Sequence, residues 1–146
     1  MTQLTIRATS KSDYESWSKL MHHYYDFYKF AHDEAHLKKI FEKITTDNTI
    51  HSFLAFIEDT AVGVANYLFH PSTFSITDCY LSDVYVNPEM RGQKIATRLI
   101  DEVKNRAKKQ GCNDIYWLTA STNTQAQALY DKIATKTTWI LYTATT

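Results

Sequence analysis

The hydrophobic positions in the first third of the chain predict one short strand and two amphipathic helices. Residues 4–7 alternate as a strand does, and the polar run at 9–13 has the chemistry of a helix N-cap. The next segment carries apolar or aromatic residues at the helical spacing i, i+3, i+4, i+7 and i+11. These residues are Trp17, Leu20, Met21, Tyr24 and Tyr28. This helix should run to about Phe30, and a second helix should span residues 33–44.

From residue 52 onward, strand patterns become frequent. Residues 52–57 and 62–69 are predicted to form an antiparallel hairpin around the turn at 58–61, and residues 75–86 a third strand that ends before Pro88. Helices are predicted at 91–110 and 124–132, and further strands at 114–119 and 139–143. The order strand, two helices, three strands, helix, strand, helix, strand indicates an α/β fold with a mixed sheet.

Composition narrows the class of protein. The chain has 146 residues, of which 44% are hydrophobic and 14% aromatic, enough for a single packed domain over residues 1–146. The longest apolar run, residues 53–57, is too short to cross a bilayer, and the N-terminus lacks the pattern of an export signal. We therefore expect a cytoplasmic protein with no membrane partner. Cys79 and Cys112 are too few for a disulfide framework and should be reduced core residues.

The charges are balanced in sum but not along the chain. The formal net charge is zero, with 16 basic and 16 acidic side chains, which argues against a protein that holds nucleic acid by bulk electrostatics. Residues 1–78 carry 7 basic and 10 acidic side chains, whereas residues 79–146 carry 9 and 6. The C-terminal half is therefore the better host for an anion.

The segment with the clearest chemistry is a strand that leads through a turn into a long helix, residues 80–96. At a helix N-terminus the first backbone N–H groups lack intrahelical partners and the helix dipole is positive, so phosphate is favoured there. Arg91, Lys94 and Arg98 add three cations. Taken alone, this segment is equally compatible with an ordinary strand-turn-helix whose basic first turn is solvated.

Two sequence windows together resemble the GNAT superfamily of acyl-CoA-dependent N-acetyltransferases. The family motif is Arg or Gln, two residues, Gly, one residue, then Gly or Ala, and the window here is Arg91-Gly92-Gln93-Lys94-Ile95-Ala96, with Lys94 at the position of the central glycine. Downstream, Asn123 precedes a helix with a Leu129-Tyr130 pair, similar to the second family signature. The chain looks most like the small yeast histone and polyamine acetyltransferases and their bacterial relatives.

The resemblance implies a fold, a cofactor and a set of site residues. The fold would be a GNAT-like mixed, mostly antiparallel sheet with a central splayed strand pair, flanked by about four helices. The cofactor would be acetyl-CoA without a metal, with Val84, Tyr85 and Val86 pairing with the pantetheine amides. The turn Arg91, Gly92, Gln93, Lys94, Ile95 and Ala96 would hold the pyrophosphate, and Asn123 the cofactor arm. Tyr130 would protonate the departing thiolate.

The remaining roles are less determined by the sequence. Asp83 is either the base that deprotonates the amine, directly or through water, or a strand-end carboxylate that orients a neighbour. Tyr24 and Tyr28, with the acidic Asp26, Asp33 and Glu34 nearby in sequence, form a candidate region for a cationic amine acceptor. The resemblance also implies that the protein forms a homodimer or a larger homo-oligomer.

Two other classes of function remain as alternatives. The first is a GNAT-like domain that binds acyl-CoA, or has lost it, and acts as a protein-interaction module. The second is metal catalysis, since His32 and His36 have the i, i+4 spacing with which two side chains on one helical face share a metal.

Overall fold

One five-stranded mixed sheet forms the centre of the molecule. The computed structural model describes residues 3–146. Neighbouring strands in the sheet follow chain order, and the first four run antiparallel while the fifth is parallel to the fourth. The strands are Leu4–Ala8 (β1), His51–Ile57 (β2), Thr60–Ser72 (β3), Ile76–Val86 (β4) and Ile115–Tyr116 (β5). The predicted α/β fold with a mostly antiparallel sheet is confirmed.

Helices cover both faces of this sheet. Within residues 3–146 the α-helices are Tyr14–Phe27 (α1), Glu34–Thr45 (α2), Ile95–Lys109 (α3) and Thr124–Ile133 (α4), with short 3₁₀ turns at Lys11–Asp13 and Pro88–Met90. Asp33 caps α2 by accepting a hydrogen bond from the backbone N–H of His36 at 2.8 Å. Helix α1 ends earlier than predicted, because Lys29 is left-handed (φ 55°) and the N–H of Phe30 turns back to the carbonyl of Tyr25.

The two faces of the sheet carry separate apolar cores. On one face, α3 packs Leu99, Ile100 and Val103 against the sheet, and Tyr130 and Ile133 of α4 cover the edge of the same core. On the other face, Trp17 and Met21 of α1, with the apolar stripe of α2, pack against Leu54, Val64 and Tyr85. Cys79 and Cys112 are free thiols buried in the first core, as the sequence predicts.

Helix α3 lies unusually close to the sheet at Gly63. A Cβ atom at Gly63 would lie 3.1 Å from Leu99 Cδ1 and 3.2 Å from the backbone oxygen of Tyr85. The missing side chain therefore lets the first turns of α3 approach β3, and this fixes the helix N-terminus beside the end of β4.

A β-bulge interrupts the pairing of β3 with β4. Asn66 faces Asp83 while Tyr67 faces Leu81, so Ser82 is an additional residue in β4. A bulge rotates the strand locally and changes where its side chains point. Asp83 consequently lies on the α1 side of the sheet, next to Asn66, while Leu81 lies in the α3 core.

Strands β4 and β5 separate soon after they pair. Their register joins Cys79 to Ile115 and Tyr80 to Tyr116, and β4 then continues to Val86 while the chain after Tyr116 turns away towards α4. The predicted splayed strand pair is thus present, although β5 is much shorter than residues 114–119.

Two further predicted elements differ from the structure. Helix α3 begins at Ile95 and not at Arg91, because Gly92 (φ 81°) and Lys94 (φ 63°) are left-handed and break the helical path. The closing strand predicted at 139–143 is wrong, since residues 134–146 contain no helix or strand. Trp139, Ile140, Leu141 and Tyr142 are 90%, 76%, 67% and 87% exposed. The apolar pattern of this segment is real, but it finds no partner strand within the chain.

Candidate active site

A cavity of about 340 Å³ occupies the space where β4 and β5 diverge. Its walls are the end of β4, the turn into α3, the first half of α4 and the end of α1. Most of the residues predicted to form the site line it: Tyr24, Tyr28, Val84, Tyr85, Val86, Arg91, Gly92, Lys94, Ile95, Ala96, Asn123 and Tyr130. Residues from four separate elements therefore meet at one place, as predicted.

Two predicted residues do not line the cavity, and several unpredicted ones do. Gln93 is exposed to solvent, and Asp83 lies behind the wall. The additional lining residues are Phe27, Met90, Thr97, Gln125, Ala126 and Leu129. Helical spacing could have identified Leu129, which precedes Tyr130 and follows Ala126 by three residues. The same spacing could have identified Phe27, which follows Tyr24 by three residues and Leu20 by seven.

The turn before α3 forms the basic end of the cavity. The lining side chains that carry a formal charge are Arg91 and Lys94, both cations. Lys94 is the N-cap of α3 in a left-handed conformation (φ 63°), so the lysine adopts a backbone geometry that glycine favours. The N–H groups of the first turn of α3 have no partner within the helix, and open space lies beside Gly92. This end of the cavity is suited to an anion.

Asp83 lies behind the tyrosines of the cavity wall. Its Oδ2 accepts hydrogen bonds from Asn66 Nδ2 and Ser82 Oγ, both at 3.0 Å. Burial raises the pKa of Asp83, and hydrogen bonds from Asn66, Ser82 and Tyr24 act in the opposite direction. Sequence reasoning missed Asn66. The available signal was a lone polar residue in the apolar strand at 62–69, and such residues are hydrogen-bonded when buried.

A cluster of tyrosines lies between Asp83 and the cavity. The ring of Tyr24 lies 5.0 Å from that of Tyr28 and 6.2 Å from that of Tyr85. Tyr130 packs edge-on against Trp117 at 5.3 Å. Burial, with a smaller contribution from Tyr28, raises the pKa of Tyr130 to about 12, so its hydroxyl keeps its proton at neutral pH.

Asn123 joins two walls of the cavity. Its Oδ1 accepts a hydrogen bond from the N–H of Ala126 at 3.2 Å and caps α4, while its Nδ2 lies 3.4 Å from the hydroxyl of Tyr28. The amide therefore spans from the start of α4 to the end of α1.

The acidic residues expected near the acceptor do not line the cavity. Asp33 caps α2, and Asp26 is exposed. Glu34 accepts hydrogen bonds from Tyr14 at 2.6 Å and pairs with His22 at 3.0 Å. Of the predicted acceptor region, the structure brings only Tyr24 and Tyr28 to the cavity.

The structure does not support the alternative in which His32 and His36 share a metal. His32 precedes α2, so it does not share a helical face with His36, and its Nε2 lies 2.7 Å from Nδ1 of His22 in a direct hydrogen bond. Among residues 3–146 no three His, Cys, Asp or Glu side chains are grouped so that they could hold a metal ion.

Comparison with known proteins identifies the family. The model of the acetyltransferase (GNAT) family matches residues 17–134, which include all of the cavity walls. The chain belongs to the GNAT family. As a GNAT protein it is 32% identical over 145 residues to the D-amino-acid N-acetyltransferase HPA3 of Saccharomyces cerevisiae, covering 96% of this chain and 89% of the relative. It is 38% identical over 69 residues to the thialysine N-epsilon-acetyltransferase of Bos taurus, covering 47% of this chain and 41% of that relative.

Solved structures share the fold of this GNAT protein. The aminoglycoside N-acetyltransferase AAC(6')-Iy in complex with CoA superimposes with a TM-score of 0.87 at 23% identity, over 99% of this chain and 96% of the other. Family membership confirms the predicted class of activity, acetyl-CoA-dependent N-acetylation of amines, and acetyl-CoA as the cofactor. In the part of the chain that the structure describes, no helix is both long and apolar enough to cross a membrane.

Proposed function

We propose that this GNAT protein, as a single domain, transfers an acetyl group directly from acetyl-CoA to the primary amine of a small acceptor. The observation that carries the proposal is the composition of the cavity from end to end. One end has two cations and a helix N-terminus, and the other end has Tyr130 and, behind Tyr24, the carboxylate of Asp83. An anionic donor and a basic acceptor are thus favoured at opposite ends of one space.

The residues at the basic end fit the phosphates of acetyl-CoA. The N–H groups at the start of α3 would receive the pyrophosphate, with Lys94 and Arg91 as counter-charges. The left-handed Lys94 keeps the backbone path that a glycine would take, so its side chain adds a charge at that point. The free edge of Val84, Tyr85 and Val86, where β4 has left β5, would pair with the amides of the pantetheine arm.

Asp83 would accept the proton that the amine must lose. An alkylammonium with a pKa of about 10.4 is some three units above neutral pH, which corresponds to about 4 kcal/mol. The carboxylate lies behind the ring of Tyr24, and the nearby Tyr24 hydroxyl acts to lower the pKa of Asp83. A water or the Tyr24 hydroxyl would therefore pass the proton from the amine to Asp83.

Tyr130 would donate a proton to the sulfur of the departing CoA. Acetyl-CoA, when bound, supplies a thioester whose C–S bond breaks as the C–N bond to the amine forms. Because its pKa of about 12 keeps the Tyr130 hydroxyl protonated, it can donate to the sulfur throughout the neutral range.

The acceptor would bind against Tyr24 and Tyr28, whose rings pack on each other 5.0 Å apart. Their rings offer a surface that attracts a cationic amine. The named activity of the yeast relative, with 32% identity over nearly the whole chain, supports an amino acid as the first acceptor to test.

A thiol-release assay with acetyl-CoA tests the proposal. The panel should contain D-amino acids, thialysine, spermidine and an aminoglycoside, and a CoA thermal-shift measurement should run beside it. We expect CoA to stabilise the protein and at least one amine to accelerate thiol release. Stabilisation without turnover would favour the alternative, a module that binds acyl-CoA without catalysis. Absence of both effects would overturn the proposal.

As part of the same proposal, two copies associate through the C-terminal segment 139–142. Four consecutive large apolar residues stand 67–90% exposed there. In an extended segment their side chains would point to both sides, so burial requires cover on both faces. The edge of β5 offers hydrogen-bonding groups on an identical surface in each copy, which allows reciprocal pairing.

The buried free thiols Cys79 and Cys112 suit a reducing compartment, and we place the protein in the cytoplasm.

Light scattering after gel filtration tests the association. We expect the unmodified protein to be a dimer or larger, and Trp139→Asp with Leu141→Asp to give a monomer. Phe74→Asp is the matched control, because Phe74 is an equally large apolar residue that is 99% exposed but belongs to the turn between β3 and β4. A wild-type monomer at micromolar concentration would contradict the association and leave the catalytic proposal intact.

A further inference from the structure

Three polar side chains form a hydrogen-bonded chain beneath α1 that ends at Asp83. Trp17 Nε1 donates to Asn66 Oδ1 at 3.1 Å, and Asn66 Nδ2 donates to Asp83 Oδ2 at 3.0 Å. Trp17 and Asn66 are 0% and 1% exposed, so water does not compete for either bond. The chain crosses from helix α1 through strand β3 to strand β4, and it reaches the candidate base from the side opposite the cavity.

The indole of Trp17 determines which way the Asn66 amide faces. An indole N–H only donates, so the end of the amide next to it must be the oxygen. The NH₂ group then necessarily faces Asp83, and it also contacts Met21 Sδ at 3.2 Å. A flipped amide would place N–H against N–H at Trp17 and oxygen against a carboxylate at Asp83, and both contacts are repulsive.

The bulge at Ser82 completes the arrangement. The additional residue in β4 brings Asp83 opposite Asn66, and Ser82 Oγ donates to the same carboxylate oxygen, Oδ2, at 3.0 Å. Because Asn66 and Ser82 both reach Oδ2, that oxygen is held in place and Oδ1 is the one assigned to take a proton.

We infer that Trp17 and Asn66 are positioning residues, which orient the Asp83 carboxylate and keep it ionised so that Oδ1 can accept the proton from the amine. Neither touches the cavity, so each acts through Asp83. The inference rests on the proposed role of Asp83 as the base.

The consequence is a specific change in the pH profile. Without the Asn66 donor, the carboxylate of Asp83 loses a hydrogen bond that stabilises its charged form, while burial still raises its pKa. The acidic limb of kcat/KM should therefore move to higher pH.

The titratable groups around Asp83 are the phenols of Tyr24 and Tyr25 on α1 and of Tyr80 on β4. His23 of α1 lies 6.5 Å, ring to ring, from Tyr85, which is two residues after Asp83 on β4. Phenols are neutral below about pH 10, so the tyrosines do not produce this limb.

Trp17→Phe is the main test, because it removes the N–H and keeps an aromatic ring. We expect the acidic limb to rise by about one pH unit and kcat at neutral pH to fall about tenfold, with the KM for acetyl-CoA unchanged. Asn66→Leu should give a larger shift in the same direction. Phe41→Leu is the matched control, since its ring packs 5.2 Å from that of Trp17 and carries no hydrogen-bonding group, and it should leave the limb in place.

The double variant with Asp83→Asn separates positioning from a general effect on folding. If Trp17 acts through Asp83, Trp17→Phe should cause no further loss of rate in the Asp83→Asn background. An equal loss in both backgrounds, or an unmoved acidic limb in folded Trp17→Phe and Asn66→Leu, would overturn the inference while the proposed function stands. A fully active Asp83→Asn would instead remove Asp83 as the base, and the positioning roles with it. Circular dichroism and CoA thermal shift establish that each variant is folded.

Discussion

Asn123 Nδ2 lies 3.4 Å from the hydroxyl of Tyr28 and so links the start of α4 to the end of α1 across the mouth of the cavity. The same side chain caps α4 through its Oδ1. One residue therefore serves the stability of a helix and the shape of the entrance, and substitution can separate the two contributions.

We expect Asn123→Ala to lower the free energy of unfolding by about 1 kcal/mol, the usual cost of losing an N-cap. Asn123→Ser retains a capping oxygen and should be close to wild type in stability, yet it lacks the NH₂ group that reaches Tyr28. Chemical denaturation measures the stability, and the KM values for acetyl-CoA and acceptor measure the entrance. If Asn123→Ser and Asn123→Ala were equally unstable, the cap would not be the reason.

Lys94 is a strained residue in the turn before α3, with φ at 63°. A left-handed conformation costs a non-glycine residue roughly 1–2 kcal/mol, and glycine recovers part of this at an entropic cost in the unfolded chain. We therefore expect Lys94→Gly to stabilise the protein by about 0.5–1 kcal/mol and to bind CoA more weakly because a cation is lost. Thermal unfolding and CoA titration measure the two effects.

Lys94→Ala separates strain from charge, since it keeps the strained backbone and removes the ammonium. It should lose as much CoA affinity as Lys94→Gly without gaining its stability. If both variants bound CoA like the wild type, Lys94 would have no part in phosphate binding.

Short sequence windows predicted many of the residues that line the cavity. Tyr130, Asn123 and the turn at Arg91 were placed in the site by the resemblance of two windows to the GNAT signatures, and helix spacing placed Tyr24 and Tyr28 on one face of α1. The pairing of Asn66 with Asp83 could not be predicted, because it depends on a bulge that shifts one strand by a residue against another. The prediction of a strand at 139–143 was wrong for a related reason. A strand pattern indicates which side chains would be buried in a sheet, but whether the strand forms depends on a pairing partner that is distant in sequence.

The ion pair between Arg7 and Asp13 should make stability depend on pH in the acid range. The guanidinium of Arg7 donates two hydrogen bonds to Asp13, at 2.7 and 2.9 Å, and this is the main cause that lowers the pKa of Asp13 from 3.8 to about 2. Because the folded pKa is the lower one, the stabilisation is fully present above about pH 4 and is lost as pH falls towards 2.

Asp13→Asn should lower the free energy of unfolding by about 1–2 kcal/mol at neutral pH, less than the full pKa shift implies because Arg7 is 47% exposed. Denaturation between pH 2 and pH 5 should show a shallower pH dependence for the variant than for the wild type; equal slopes would assign the acid sensitivity elsewhere.

Tyr130→Phe removes only the hydroxyl that we assign to protonation of the thiolate. We expect kcat to fall by roughly 10²–10⁴ while the thermal shift produced by CoA stays the same, because the ring still packs against Trp117. Tyr116→Phe is the control, since Tyr116 lies on β5 outside the cavity lining and its substitution should leave kcat near wild type.

With its pKa raised to about 12, Tyr130 does not titrate below about pH 11, so any alkaline limb of kcat at lower pH must come from another group and should survive in Tyr130→Phe. An unchanged kcat in the variant would remove Tyr130 from the mechanism, whereas loss of that limb would show that Tyr130 itself titrates there, against its raised pKa.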